Sequence, residues 1–215
     1  MTSITKLGWT ALVLALAVIA IDQAAKAWIL TGLNLPQIFE EWLFKPTGMA
    51  DTAIDRSCTI VAGCSGYRPG GKGGFSRSLP PSPSFIGGAG AIRSTTQDLC
   101  RWHNALLSGR ILNWASLNAM LTPARFNNGQ VAWEQGAHER LLYGFGQGLG
   151  MLGAQPIIAH GGRLNGFTGQ LRSAALEKVT IACLYNCDGT GIGEYLESER
   201  AVRVEALRLG LATQA

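Results

Sequence analysis

Residues 155–186 read QPIIAHGGRLNGFTGQLRSAALEKVTIACLYN. Three apolar runs stand out: QPIIAH (155–160), GFTGQLRSA (166–174) and VTIACLYN (179–186). Runs of this length, with β-branched residues and turn formers between them, predict strands. The joints are only a few residues long, so hairpin-linked antiparallel pairing is expected. A lone histidine, His160, sits between an apolar run and Gly161-Gly162, with Asn165-Gly166-Phe167 close behind. It is open at this point whether His160 merely ends a strand before a turn or does chemistry.

Working outward, YGFGQGLGM (143–151) alternates with a period of two. Tyr143, Phe145, Gln147, Leu149 and Met151 would share one face, and Gly144, Gly146, Gly148 and Gly150 the other. That pattern predicts one more strand with a bare face, which a helix or neighbouring backbone can approach closely. A nucleotide-binding glycine loop would need a strand–turn–helix context, which is missing. Upstream, GAIRSTTQDLCRWHNALLSGR (90–110) predicts a helix. Ser94 or Thr95 would be its N-cap, Gln97 or Asp98 would complete a capping box, and Gly109 would follow its end. Leu99, Trp102, Leu106 and Leu107 form its apolar stripe. NWASLNAMLTP (113–123) predicts a shorter helix before Pro123.

A short amphipathic helix is expected over Gln37–Leu43, closed by Pro46 and Gly48. Residues 63–90 are rich in Gly, Ser and Pro and predict a long surface loop. Its GGKGG lacks the ending and the following helix of a phosphate cradle. GEYLESERAVRVEALRLGL (193–211) predicts an amphipathic helix with Tyr195, Val202, Ala206 and Leu209 inward. Helices, then strands, then one helix over the sheet make an α+β fold.

Composition narrows the function classes. The 215 residues are 47% hydrophobic and 15% charged, which excludes a disordered chain. A net charge of +4 without a basic run argues against nucleic-acid binding. The five cysteines, Cys58, Cys64, Cys100, Cys183 and Cys187, do not make a complete disulfide framework, although Cys58 and Cys64 could bridge a short loop. Unpaired, mostly buried thiols are expected. His103, His138 and His160 lack zinc spacing, and nothing calls for a metal or another cofactor.

The N-terminal segment has a different texture. LGWTALVLALAVIAI (7–21) is uncharged, and the apolar run resumes after Lys26. A single helix over 7–30 would cross a bilayer if Asp22 and Lys26 paired one turn apart, and Lys6 suits a positive-inside start. Residues 1–35 are therefore expected to be a hydrophobic leader or membrane helix, and the chain membrane-anchored or exported to the periplasmic side. Residues 36–215 are expected to form the remaining domain. The leader resembles the first transmembrane helix of lipoprotein signal peptidase, with Asp22, Gln23 and Lys26 matching its D-Q-x-x-K step. That family's catalytic aspartates lie on later helices, and no later apolar run here is long enough to be one.

Five stretches in order carry a broader resemblance: FKPTGMADTA (44–53), residues 88–112 (GAGAIRSTTQDLCRWHNALLSGRIL), YGFGQGLG (143–150), IIAHGGRLNGF (157–167) and IACLYNCDG (181–189). They resemble serine hydrolases related to class C β-lactamases, a group that includes penicillin-binding proteins, D-aminopeptidases and esterases. The resemblance covers about residues 37–190. It implies a partial β-lactamase/transpeptidase-like fold and, in intact relatives, ester or amide cleavage through a serine acyl-enzyme. His160-Gly161-Gly162 matches the family's K-T-G or H-x-G strand beside the pocket. By that resemblance His160 would help to polarise a catalytic tyrosine or the substrate, and Gly161 and Gly162 would let an acyl group lie against the strand.

Two further elements of that mechanism are expected and not met in register. None of the four tyrosines begins a Y-x-N loop. One S-x-x-K occurs, Ser3 to Lys6, about forty residues before the FKPTGM segment, whereas relatives place well over a hundred there. The chain is thus expected to be the C-terminal half of such a hydrolase behind a leader, with hydrolysis impaired. A membrane-tethered, non-catalytic ligand-binding domain of the same fold is the alternative, and a signal peptidase relative the second. A sheet lacking its first strands would leave an apolar edge for another chain to cover.

Overall fold

The computed structural model describes residues 35–54, 64–70, 73–79, 90–135, 140–188 and 193–212. The chain divides into two compact units between Trp42 and Leu43. The first unit includes helix α1 (Leu35–Phe39). There Gln37 Nε2 donates to Glu41 Oε1 at 2.9 Å, the spacing at which helical side chains meet. A π-helical turn, Glu40–Phe44, leads into the single turn α2 (Lys45–Thr47). Pro46 does not close the helix as expected. It lies in the first turn of α2, where no intrahelical N–H is required. Gly48 ends the turn, with φ +73° and its N–H donating to the Lys45 carbonyl at 3.1 Å.

The second unit is built on a six-stranded sheet. Its strands are β5 (Trp133–Gln135), β6 (Arg140–Tyr143), β7 (Gly148–Leu152), β8 (Gln155–Leu164), β9 (Phe167–Ala174) and β10 (Val179–Tyr185). Each pairs antiparallel with its sequence neighbour, so their spatial order is their chain order. The three expected hairpin strands are β8, β9 and β10. Earlier come a two-stranded pair, β1 (Ala53–Ile54) with β4 (Ile92–Arg93), and a hairpin of β2 (Tyr67–Pro69) with β3 (Phe75–Arg77). That hairpin lies within residues 63–90, where a long surface loop was expected. Gly73 and Gly74, at φ +86° and +76°, make the turn that lets the chain double back.

YGFGQGLGM is not one strand. It is the end of β6, a turn and the start of β7. Two contacts impose the break. Phe145 N donates to the Met120 carbonyl at 3.0 Å, and a Cβ on Gly144 would sit 2.2 Å from that oxygen. Gly146 then takes φ +71°. The bare face of Gly148 and Gly150 is filled by a side chain: Cβ atoms there would come within 2.7 and 2.5 Å of Leu141 methyls.

Alternation gives the sheet two faces. Ile157, Ala174 and Val179 point to one, where Leu207 of the terminal helix α5 (Gly193–Ala212) completes a dry core with Leu152, Ile181 and Leu211 around it. The inward set expected for this helix is corrected in part. Leu209 is 59% exposed and Leu207 only 1%. Gly210 explains the shift, because a Cβ there would lie 2.7 Å from a Val179 methyl, so the helix seats on its 207–211 stripe. The side chains of Tyr195 and Val202 lie outside the description.

Residues on the opposite face form one row in register: Trp133, Leu142, Leu149, Ile158, Ser173 and Thr180. Over its polar end lies α3 (Thr96–Leu107). Thr95 is the N-cap, accepting from Asp98 N at 3.2 Å. The capping box stays half-made, since the Asp98 carboxylate turns elsewhere. It accepts from Asp51 N and Thr52 Oγ1 at 2.8 Å each and from Arg101 Nη1 at 2.6 Å, which ties the start of α3 to the chain before β1. Burial alone would push this carboxyl up, but the bonds from Thr52, Arg101 and Asp51 hold it below the usual range. The expected apolar stripe buries fully only at Leu106, beside Asp98, His103 and Ala105. Gly109 follows the helix at φ +76°, as its C′ role requires. The shorter helix, α4 (Trp114–Met120), is capped by Asn113.

Among the described residues, no helix is long and apolar enough to cross a membrane. The expected leader over 7–30, with Asp22, Gln23 and Lys26, lies outside them, as does Cys58. Cys64, Cys100 and Cys183 are free thiols, exposed or half-buried, and Cys187 is buried.

Candidate active site

The site is built on a strand that outruns its neighbour. β9 follows β8 from Ile158 through to Leu164, where it pairs with Phe167. β7 pairs only with Gln155–Ala159. From His160 to Leu164 the β7-side edge of β8 therefore has no strand partner among the described residues. His160 does not end a strand before a turn. The turn comes later, at Asn165-Gly166, with Gly166 at φ +80°.

The two glycines after His160 play different parts. Alternation puts His160 and Gly162 on the face of Ile158 and Ser173, and Gly161 on the other. A Cβ on Gly161 would lie 2.5 Å from Gln170 Nε2, so this glycine makes room for a neighbouring side chain. A Cβ on Gly162 would meet nothing within 4 Å. The exposed imidazole and the open space over Gly162 thus share one face of one free edge. The far end of that edge is clamped. Gly166 N donates to Asp188 Oδ2 at 3.1 Å, Tyr67 N donates to the Gly166 carbonyl at 3.2 Å, and a Cβ on Gly66 would lie 2.6 Å from the Phe167 ring.

Behind the edge runs a buried polar chain that the sequence reading did not single out. His103 Nδ1 lies 2.7 Å from Ser173 Oγ, and its Nε2 lies 3.3 Å from Gln147 Oε1. All three residues are buried. Burial pushes the His103 pKa down to about 4; the bond to Gln147 works against this, and the charge of His160 adds to it. His103 is therefore neutral at pH 7, and the exposed imidazole is near enough to act on it. Both residues left a trace in the sequence: His103 falls three residues before Leu106 within the helical repeat, and Gln147 is the one amide on an otherwise apolar alternating face.

Of the residues proposed from sequence, the structure puts His160 and Gly162 together and turns Gly161 away. Ser3 and Lys6 lie outside the described residues. Among the described residues there is no cluster of three His, Cys, Asp or Glu able to hold a metal ion.

Comparison with known proteins shows the family. A D-aminopeptidase of Brucella anthropi is 26% identical over 185 residues, which cover 85% of this chain and 32% of that protein. The D-amino acid amidase of Ochrobactrum anthropi SV3, in complex with L-phenylalanine amide, superposes with a TM-score of 0.69 at 23% identity, over 87% of this chain and 54% of the amidase. An octameric penicillin-binding protein homologue from Pyrococcus abyssi gives a TM-score of 0.60 at 19% identity, over 74% of this chain and 35% of its own. The chain thus spans about a third of the curated relatives and about half of the amidase. The Beta-lactamase family model matches residues 28–203, most of the length, and the chain belongs to that family.

Proposed function

We propose that the His160–Leu164 edge is the wall of an acyl-binding site for a short amide of the D-amino acid type, in a hydrolase that works through a serine acyl-enzyme. The observation that carries this reading is the unpaired edge itself, with an exposed imidazole at its head and open space over Gly162. An extended amide can add to such an edge as a further strand, so that backbone groups fix its register. The space over Gly162 admits the acyl group, and His160 stands where it can polarise the substrate or receive a proton from it. The relatives named D-aminopeptidase and D-amino acid amidase support the substrate class.

The nucleophile is the weak point of this chain. Among the described residues no serine stands three before a lysine. In this reading the attacking hydroxyl comes from Ser3 with Lys6 as its base, or from a segment beyond these residues, in the same or a second chain. We take turnover by this chain alone to be impaired. A second reading, ligand binding without hydrolysis by a domain tethered through residues 7–30, rests on the same edge and the same missing pair.

Titration with D-phenylalanine amide, followed by backbone NMR, tests the shared part. Shifts confined to His160–Leu164 and the 144–147 turn are expected, with the L-enantiomer weaker. No shift along β8 would end both readings. Release of p-nitroaniline from a D-amino acid anilide, lost in Ser3→Ala, would establish Ser3. Release that survives Ser3→Ala would place the nucleophile elsewhere, and no release would favour the binding domain.

A further inference from the structure

His103 is fully buried and held at both ring nitrogens, by Ser173 and by Gln147. The chain of bonds goes on from Ser173 Oγ to Thr180 Oγ1 at 2.6 Å, and from there to Asn104 Oδ1 at 2.5 Å. Gln147 ends it on the other side. Gln147 immediately precedes β7, and one step beyond the pair Gly148–Ala159 sets it opposite His160. It is thus the last residue on the β7 side before the edge of β8 becomes free. The turn behind it closes on itself, with Gly144 N donating to the Gln147 carbonyl at 2.8 Å, and is moored to the end of α4 through Phe145 N and the Met120 carbonyl.

We propose that His103 is a positioning residue for the His160–Leu164 edge: through Gln147 it fixes the 144–147 turn, and so sets where β7 stops and the free edge begins. This rests on reading that edge as the ligand wall, yet the positioning can be measured without any ligand. Neither His103 nor Gln147 touches a substrate in this scheme. They act on the shape of the opening.

The proton inventory gives the arrangement a signature. Gln147 Oε1 can only accept, so His103 Nε2 must carry a hydrogen. A neutral imidazole then has a bare Nδ1, which takes the hydroxyl proton of Ser173. Ser173 is left to accept from Thr180, while Asn104 Oδ1 asks for the same Thr180 proton. The shortfall of one hydrogen falls between Thr180, Ser173 and the exposed Asn104, at the end of the chain far from His160. The depressed His103 pKa agrees with a neutral ring.

The test uses the full chain, labelled with 15N. Long-range 1H–15N spectra are expected to show His103 as the Nε2–H tautomer. Gln147→Ala is expected to speed amide exchange at Gly144 and at the Gly148–Ala159 pair by about tenfold or more, leaving the Leu171–Ala182 pair nearly unchanged. Affinity for D-phenylalanine amide should fall by about tenfold alongside. Gln147→Glu retains the acceptor, and should keep both the tautomer and the local protection within about threefold of the original. An Nδ1–H tautomer in the unmodified protein would overturn the proposal. So would exchange that rises equally across the sheet in Gln147→Ala, which marks a merely structural role, or exchange that does not rise at all. If exchange responds as expected but no amide ligand binds either form, the positioning stands and the reading of the edge fails.

Discussion

The two faces of strands β8 to β10 differ, although they share a backbone and alternate residue by residue. One face carries Ile157, Ala174 and Val179 against Leu207. The other carries Ser173 and Thr180 against His103 and Asn104, with His160 of β8 on the same face. The dry face gains from area alone, at about 25 cal/mol for each Å² removed from water, and needs no particular geometry. The polar face gains only if every buried donor finds its acceptor, and each failure costs about 1–3 kcal/mol. The first face therefore holds the sheet together, while the second fixes a single arrangement of atoms beside the open edge.

The contrast can be broken most forcefully from the dry side. Leu207→Ala should cost about 2–5 kcal/mol, read from urea unfolding, and leave the His103 tautomer unchanged in the molecules still folded. A loss below about 1 kcal/mol would mean that α5 is not what secures the sheet.

Acid should act next, through the polar face. His103 has a folded pKa of about 4 against 6.5 as its ordinary value. Between those values the unfolded chain binds more protons, so stability rises with pH. The contribution is complete above about pH 6.5, falls as the pH drops through 6 and 5, and is gone below about pH 4; the gap is worth about 3 kcal/mol. His103→Gln should flatten that slope in pH-dependent thermal melts. Asp98, whose carboxyl is held low, contributes stability that persists to lower pH and is lost as its own carboxylate protonates, so the two windows separate.

A smaller effect is expected from Ser173→Ala, which strands His103 Nδ1. It should cost about 1–3 kcal/mol, and Thr180→Ala less, because its Asn104 partner can turn to water. Equal costs would mean that the chain is not more demanding at its buried end.

The finest comparison sets adjacent glycines against each other. Gly161→Ala must displace Gln170 and should lower stability by about 1 kcal/mol. Gly162→Ala has room, so its stability should stay within about 0.5 kcal/mol, while affinity for D-phenylalanine amide drops several-fold. The reverse pattern would put the ligand on the α5 side.

The α+β class, the three hairpin strands and the caps of α3 were legible because they rest on local rules: period two, turn residues and N-cap chemistry. The proposal of His160 and Gly162 as site residues rests on the resemblance, since a lone H-G-G carries little alone. The split of YGFGQGLGM was not legible, because the Met120 carbonyl that forbids a straight strand lies more than twenty residues away in sequence. The inward stripe of α5 was misjudged for a similar reason: Gly210 mattered for what it allows Val179 to do, not for its own hydrophobicity. The His103–Gln147 link joins a helix to a turn across the sheet, and nothing in the spacing of either segment announces the other.

The vacancy over Gly162 also makes this edge addressable by covalent chemistry. A Gly162→Cys variant, with the exposed Cys64 changed to Ser, would set a thiol where the ligand is expected to lie. Disulfide exchange against a library of small thiols would then select fragments by what the surrounding surface prefers. The shape and stereochemistry of the natural ligand could be approached that way.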